Sequence, residues 1–200
     1  MISYLLAFLV MLNPFLVFVY VKDVREQLPD KDYYRVINKA NILSFLVYIF
    51  FAVFGGYFFR SILQIQFESF RIFGGLIFVS TALVLMVHGK KSFVSLRGNL
   101  DDIASEVAIP FMVGPGTISI SIIIGDDLPI YSAVLIIALA MLINYGIIYI
   151  LSKMRKRVLD IESRKTFDKK LNVVLRLMGS FIGAIGINMI VTGLHNLYNL

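Results

Sequence analysis

The sequence predicts an all-α polytopic membrane protein: six transmembrane helices in two inverted three-helix repeats, with helices one and four interrupted. Three observations predict it. Hydrophobic residues make up 58% of the 200 residues and charged residues 16%, with a mean hydropathy of +0.83. A water-soluble globule of this size has too little interior to hide so much apolar side chain. Apolar runs recur at the length of a bilayer crossing, about 20 residues, and short related motifs recur in the two halves. The composition argues against a soluble enzyme, a disordered chain and a fibrous repeat. With no cysteine in the chain, disulfides, thiolate metal sites and cysteine nucleophiles are excluded.

Six runs qualify as spans: residues 2–21, 41–59, 70–88, 107–125, 128–152 and 177–198. None contains Asp or Glu. The first has no basic segment before it and is as long as a full span, so it reads as a helix that stays rather than a cleaved signal. The second contains an unbroken apolar stretch, 47–54, whereas barrel strands would alternate apolar and polar residues. The third opens on Arg71 and ends at His88, an interfacial position like that of His195 in the sixth. The fourth carries Pro110, Gly114, Pro115 and Gly116. The fifth and sixth are continuous, and Gly179, Gly183 and Gly186 give the sixth a small-residue face suited to close helix packing.

The charges between the runs set the orientation. Residues 22–39 carry Lys22, Arg25, Lys31, Arg35 and Lys39; the segment after the third run carries Lys90, Lys91 and Arg97; residues 153–176 carry nine more. These are 17 of the 19 basic residues, and the opposite side holds Arg60, Arg71 and the acidic pair Asp126 and Asp127. Cationic loops mark the cytoplasmic side, so both termini are expected on the non-cytoplasmic side of the cell membrane. The net charge of +6 is thereby explained by topology and contact with anionic lipid, and nucleic acid is not expected as a partner.

The two halves share landmarks. FRIFGG (70–75) and LRLMGS (175–180) place Arg71 and Arg176, and Gly74 and Gly179, 105 residues apart; MLNPF (11–15) and MVGPG (112–116) place Pro14 and Pro115 101 residues apart. Three spans per half force the second half to be inverted in the membrane. This gives one transmembrane domain over 1–200, with a first repeat 1–89, a cytoplasmic linker 90–106 and a second repeat 107–200.

Proline removes an amide donor and crowds the preceding turn. Asn13 is a good cap for a helix restarting at Pro14, and Gly114 a passable one at Pro115. A single proline would suggest a simple kink. Two breaks at matching places suggest a binding site, because freed amides favour anionic groups and freed carbonyls favour cationic ones. Such a site suits a zwitterion without any charged side chain. The candidate substrate-binding residues are Asn13, Pro14, Gly114, Pro115, Gly116, Thr117 and Ser119, with Ser121 nearby. Ser80, Thr81, Asn144 and Asn188 are either pathway-lining or interhelical hydrogen-bonding groups. Arg71 and Arg176 are either gates at the two mouths or snorkelling anchors, with Glu68 spaced to pair with Arg71.

The segment EVAIPFMVGPGTIS (106–119) closely resembles the signature of the MarC family of integral membrane proteins. FRIFGG and the stretch from Arg176 to Leu194 are similar to that family too. The resemblance covers nearly the whole chain. It implies six helices in two inverted halves, within a wider superfamily of LysE-like exporters, and associates the chain with transport of small neutral amino acids. The family's usual glycine and second proline after the first-span proline are replaced here by Leu16 and Val19, so the first break is expected to be milder than the second.

The expectation is therefore a secondary transporter, an exporter or facilitator, moving small neutral amino acids by alternating access around a midplane site. No GxxxxGK[ST] motif exists, which leaves a proton or sodium gradient, or plain facilitated flow, as the drive. No cofactor, metal site or catalytic residue is expected. Intramembrane enzymes need paired Asp, a Ser with a base, or an HExxH motif. Two alternatives stand beside it: an inorganic ion or metal transporter, for which the spans offer almost no ligands, and a non-transporting scaffold, which needs no paired breaks. Homo-oligomers are left open.

Overall fold

The computed structural model describes residues 1–87, 99–157 and 161–198. His88, Lys90, Lys91 and Arg97 lie outside the described residues. Every element among the described residues is helical: α1 (Ile2–Leu12), α2 (Pro14–Gln27), α3 (Asp30–Tyr57), α4 (Phe67–Val87), α5 (Leu100–Glu106), α6 (Pro115–Asp127), α7 (Ile130–Arg157) and α8 (Ile161–Tyr198). Two π-helical stretches follow α3 and α5, at Phe58–Ile62 and Val107–Met112.

Among the described residues, five helical segments are long and apolar enough to cross a membrane: Ile2–Gln27, Asp30–Ile62, Phe67–Val87, Ile130–Arg157 and Thr166–Tyr198. The expected fourth span, 107–125, is not among them because it is not one helix. It is divided between the π-helical stretch and α6, whose 13 residues rise about 20 Å, short of a hydrocarbon core of about 30 Å.

The helices also run further into the basic segments than their apolar runs. α3 starts at Asp30 and α8 at Ile161, well before residues 41 and 177. Cross-helix ion pairs make this affordable for charged turns. Asp168 on α8 binds Lys22 on α2 at 3.1 Å and Arg155 on α7 at 3.2 Å. Arg155 also reaches Glu26 at 2.6 Å. Asp30, in the first turn of α3, meets Arg25 at 2.9 Å and also pairs with Lys156. So Arg155 and Lys156, expected to serve topology and lipid contact, are tied to acidic groups of the protein itself.

α6 stands at the centre, packed against α1, α3, α4 and α7, while α4 packs chiefly along α8. The main core runs from Phe8 and Leu12 through Val17, Tyr33, Tyr48, Ile124 and Ile137. A smaller cluster of Ala82, Leu85 and Ile182 joins α4 to α8, with Leu16 and Phe78 packed against it. The two helices of that pair meet main chain to main chain. A β-carbon added to Gly75 would stand 2.5 Å from the Gly186 carbonyl oxygen, so glycine is needed there for the approach rather than for the dihedral angles.

Candidate functional site

The first break is one residue wide. α1 ends at Asn13, whose φ of 46° and ψ of 76° are left-handed, a conformation asparagine tolerates better than most residues. Its amide closes α1 on the Leu9 carbonyl at 2.9 Å. Its Oδ1 accepts the Leu16 amide at 3.1 Å and so caps α2. Pro14 takes the first helical position, where a missing N–H costs nothing. The break persists despite Leu16 and Val19.

The second break is wider. Ile109 has φ −121° and ψ 115° inside the π-helical stretch, and Val113 and Gly114 are both extended before α6 restarts at Pro115. Local bonds hold this irregular chain. The Thr117 Oγ1 accepts the Gly114 amide at 2.9 Å and lies 3.1 Å from the Met112 carbonyl. The Tyr48 hydroxyl on α3 donates to that same carbonyl at 2.7 Å. Buried main chain in such a place must find partners of this kind.

Both breaks face one cavity of about 500 Å³. Asn13, Gly114, Pro115 and Thr117 line it, with Met11, Leu12, Leu16 and Tyr20 from α1 and α2. Ile77, Phe78 and Thr81 close it from α4, Ile182 from α8, and Glu106, Ile109, Met112 and Val113 from the second break. Of the candidates, the structure thus brings Asn13, Gly114, Pro115, Thr117 and Thr81 together. Asn13 is 3% exposed, and its Nδ2 has no hydrogen-bond partner. A β-carbon on Gly114 would meet nothing within 4 Å, because that position faces open space.

Pro14, Gly116 and Ser119 are not on the wall. Gly116 presses on Phe78 from behind the cavity. Ser119 is 1% exposed with an unpartnered Oγ, and Ser121 returns its hydroxyl to the Thr117 carbonyl at 2.7 Å. Ser80 and Asn188 are exposed, away from the wall. Asn144 on α7 is fully buried, yet neither its Nδ2 nor its Oδ1 has a partner.

Arg71 lines a second, polar hollow of about 800 Å³ with Arg60, Glu68, Asp126, Asp127 and Asn196. It pairs with Glu68 at 3.0 Å, and Asn196 donates to the same carboxylate at 3.2 Å. Arg176 is exposed on α8 and lines neither hollow. The contacts of Gly74 with Pro115 and of Gly116 with Phe78 draw α4 against α6 between the two hollows.

Glu106 and Tyr20 are wall residues that sequence reasoning passed over. Glu106 ends α5 one residue before the fourth apolar run, so a search confined to the runs misses it. Its place directly ahead of AIPFMVGPG, on the same turn of chain as the break, was the available signal. No group of three or more His, Cys, Asp or Glu able to hold a metal exists among the described residues.

Apolar helices enclosing a half-buried cavity, with two of them broken at its wall, define a multi-pass integral membrane protein. The chain belongs to the MarC family of integral membrane proteins, whose family model matches residues 1–198. It is similar to a UPF0056 membrane protein of Methanocaldococcus jannaschii, 34% identical over 86% of this chain and 76% of that one. It also resembles a UPF0056 membrane protein of Pyrococcus horikoshii, 26% identical over 96% of this chain and 92% of the other. The Escherichia coli UPF0056 membrane protein YhcE is 30% identical over 80% of this chain and 78% of its own. No solved structure matches the chain.

Proposed function

We propose that the protein is a secondary transporter of small organic solutes, with neutral amino acids as cargo, and not an enzyme. It works by alternating access around the cavity at its broken helices. One observation carries this reading: Asn13 and Gly114, far apart in sequence and each at a helix break, line a single cavity. A scaffold has no use for that arrangement. A metal carrier would need more ligands than the single carboxylate among the described residues of this wall.

On this reading α5, the π-helical stretch and α6 together make a sixth crossing, and α1 with α2 makes the first. Each half then opens on a crossing broken before a proline and closes on α4 or α8. The close packing of α4 against α8 supports pairing these as equivalent third helices. With the basic ends cytoplasmic, both termini lie outside. The cavity reaches toward the cytoplasm at Tyr20 and Glu106, and the Gly74–Pro115 and Gly116–Phe78 contacts shut its outer side. Rocking α4 and α8 away from α6 would open that seal onto the polar hollow at Arg71. A proton or sodium ion is the coupling partner, as in other carriers built around broken helices.

The test is flux of labelled alanine and serine into proteoliposomes. In Gly114→Leu the side chain enters open space, so the variant should fold with unchanged thermal unfolding and lose transport. Flux equal to that of the unaltered protein would remove the cavity from the pathway.

A further inference from the structure

We propose that Glu106 anchors a cationic nitrogen, so that the cavity selects primary amines with a sizeable apolar body, leucine-like amino acids among them, over glycine-sized solutes. This rests on the transporter reading above and narrows its cargo. Glu106 is half-buried and, among the described residues, is the single acidic side chain on the cavity wall, where no described Lys, Arg or His appears. It makes no ion pair or hydrogen bond to any described residue. Carboxylates held in partly desolvated apolar surroundings are costly unless a cation joins them.

The rest of the wall says what that cation carries. Leu12, Leu16, Phe78, Met112 and Ile182 give it an apolar surface, and about 500 Å³ is in the range of sites for ligands well above glycine in size. The hydroxyl of Thr81 is spent on the Ile77 carbonyl at 2.8 Å, and that of Thr117 on its own break. The unpartnered Nδ2 of Asn13 lies just beneath the wall, closed off from solvent, and a small turn of that side chain would offer it to a carboxylate oxygen. Ammonium at Glu106, carboxylate toward Asn13 and an apolar side chain between the helices match the polar and apolar groups of the described wall.

The experiment uses the purified full-length protein with three probes: leucine, 3-methylbutylamine and 4-methylpentanoate, which lacks the amine. Thermal stabilisation and competition for leucine flux are read for each. Leucine and the amine should bind, and 4-methylpentanoate should not. Glu106→Gln should weaken both amines about tenfold or more, as loss of a charge-assisted bond requires, while unfolding at the same temperature without ligand. Glu106→Asp should recover part of the binding. Equal binding of 4-methylpentanoate, or leucine binding unchanged in Glu106→Gln, overturns the proposal. So does stabilisation by sodium chloride over choline chloride that vanishes in Glu106→Gln with amine binding unaffected, since the carboxylate would then hold a metal cation. Amine binding that depends on Glu106 without any flux would sink the transporter reading and leave the anchor standing. Flux abolished by Gly114→Leu but indifferent to Glu106 would do the reverse.

Discussion

Gly116 and Phe78 touch through the space a side chain would fill: a β-carbon on Gly116 would stand 2.1 Å from Cζ of the ring. Alanine at 116 must therefore displace the ring or push α4 from α6. Gly116→Ala is expected to cost about 1–3 kcal/mol and to slow flux. Adding Phe78→Ala should return most of the stability. The check is a double-mutant cycle by thermal unfolding, where simple additivity would show that the two positions do not press on each other.

Asn13 does two jobs that one pair of variants separates. Asn13→Ala loses the cap on α2 and places alanine at φ 46°, a loss of about 1–2 kcal/mol or more. Asn13→Gly loses the same cap but accepts the left-handed angle, so it should cost only about a few tenths. Both remove the unpartnered Nδ2 from beneath the cavity wall. Chemical denaturation should rank alanine well below glycine, and amino-acid flux should fall in both. Full flux in the glycine variant would mean the side-chain amide touches no cargo.

Asn144 holds two unpartnered polar groups in a fully buried site. Leucine has nearly its shape and nothing to satisfy. Asn144→Leu should raise the unfolding temperature, with a gain on the order of 1 kcal/mol, and leave flux intact. A lowered unfolding temperature would point instead to a water or ion held by that amide.

Asp168 is shared by Lys22 and Arg155, and the Lys22 side chain is only 9% exposed. Asp168→Ala strands that ammonium. Allowing for the partial exposure of Asp168, the loss should be about 2 kcal/mol. Lys22→Met in the same chain should recover part of it, read by denaturation in detergent. Stability indifferent to Asp168→Ala would mean the pairs are solvent-screened.

The apolar runs and the two breaks were legible because each rests on local chemistry. Pro14 after Asn13, and Pro115 after Gly114, state where a helix stops and restarts. The long basic-end turns of α3 and α8 were not, because charge reads as loop until its partners are known, and Asp168 finds Lys22 and Arg155 only in three dimensions. The same limit hid Glu106, polar by sequence and outside every run, yet on the wall. Asn144 and Thr81 look alike as polar residues within spans; packing alone puts one in the cavity and leaves the other unsatisfied. The π-helical turn at Phe58–Ile62 follows Gly55 and Gly56 with no sequence signal we can assign.

The seam at Gly75 and Gly186 leaves no slack between α4 and α8, so those two behave mechanically as one beam. That beam is bolted at its basic end through Asp168, and near its middle the ring of Phe78 on α4 bears on Gly116 of α6. A lever fixed at one end needs little force to lift the other. If the protein transports as proposed, the barrier between its positions is set by a handful of side-chain contacts, and ring size at position 78 becomes a dial for turnover.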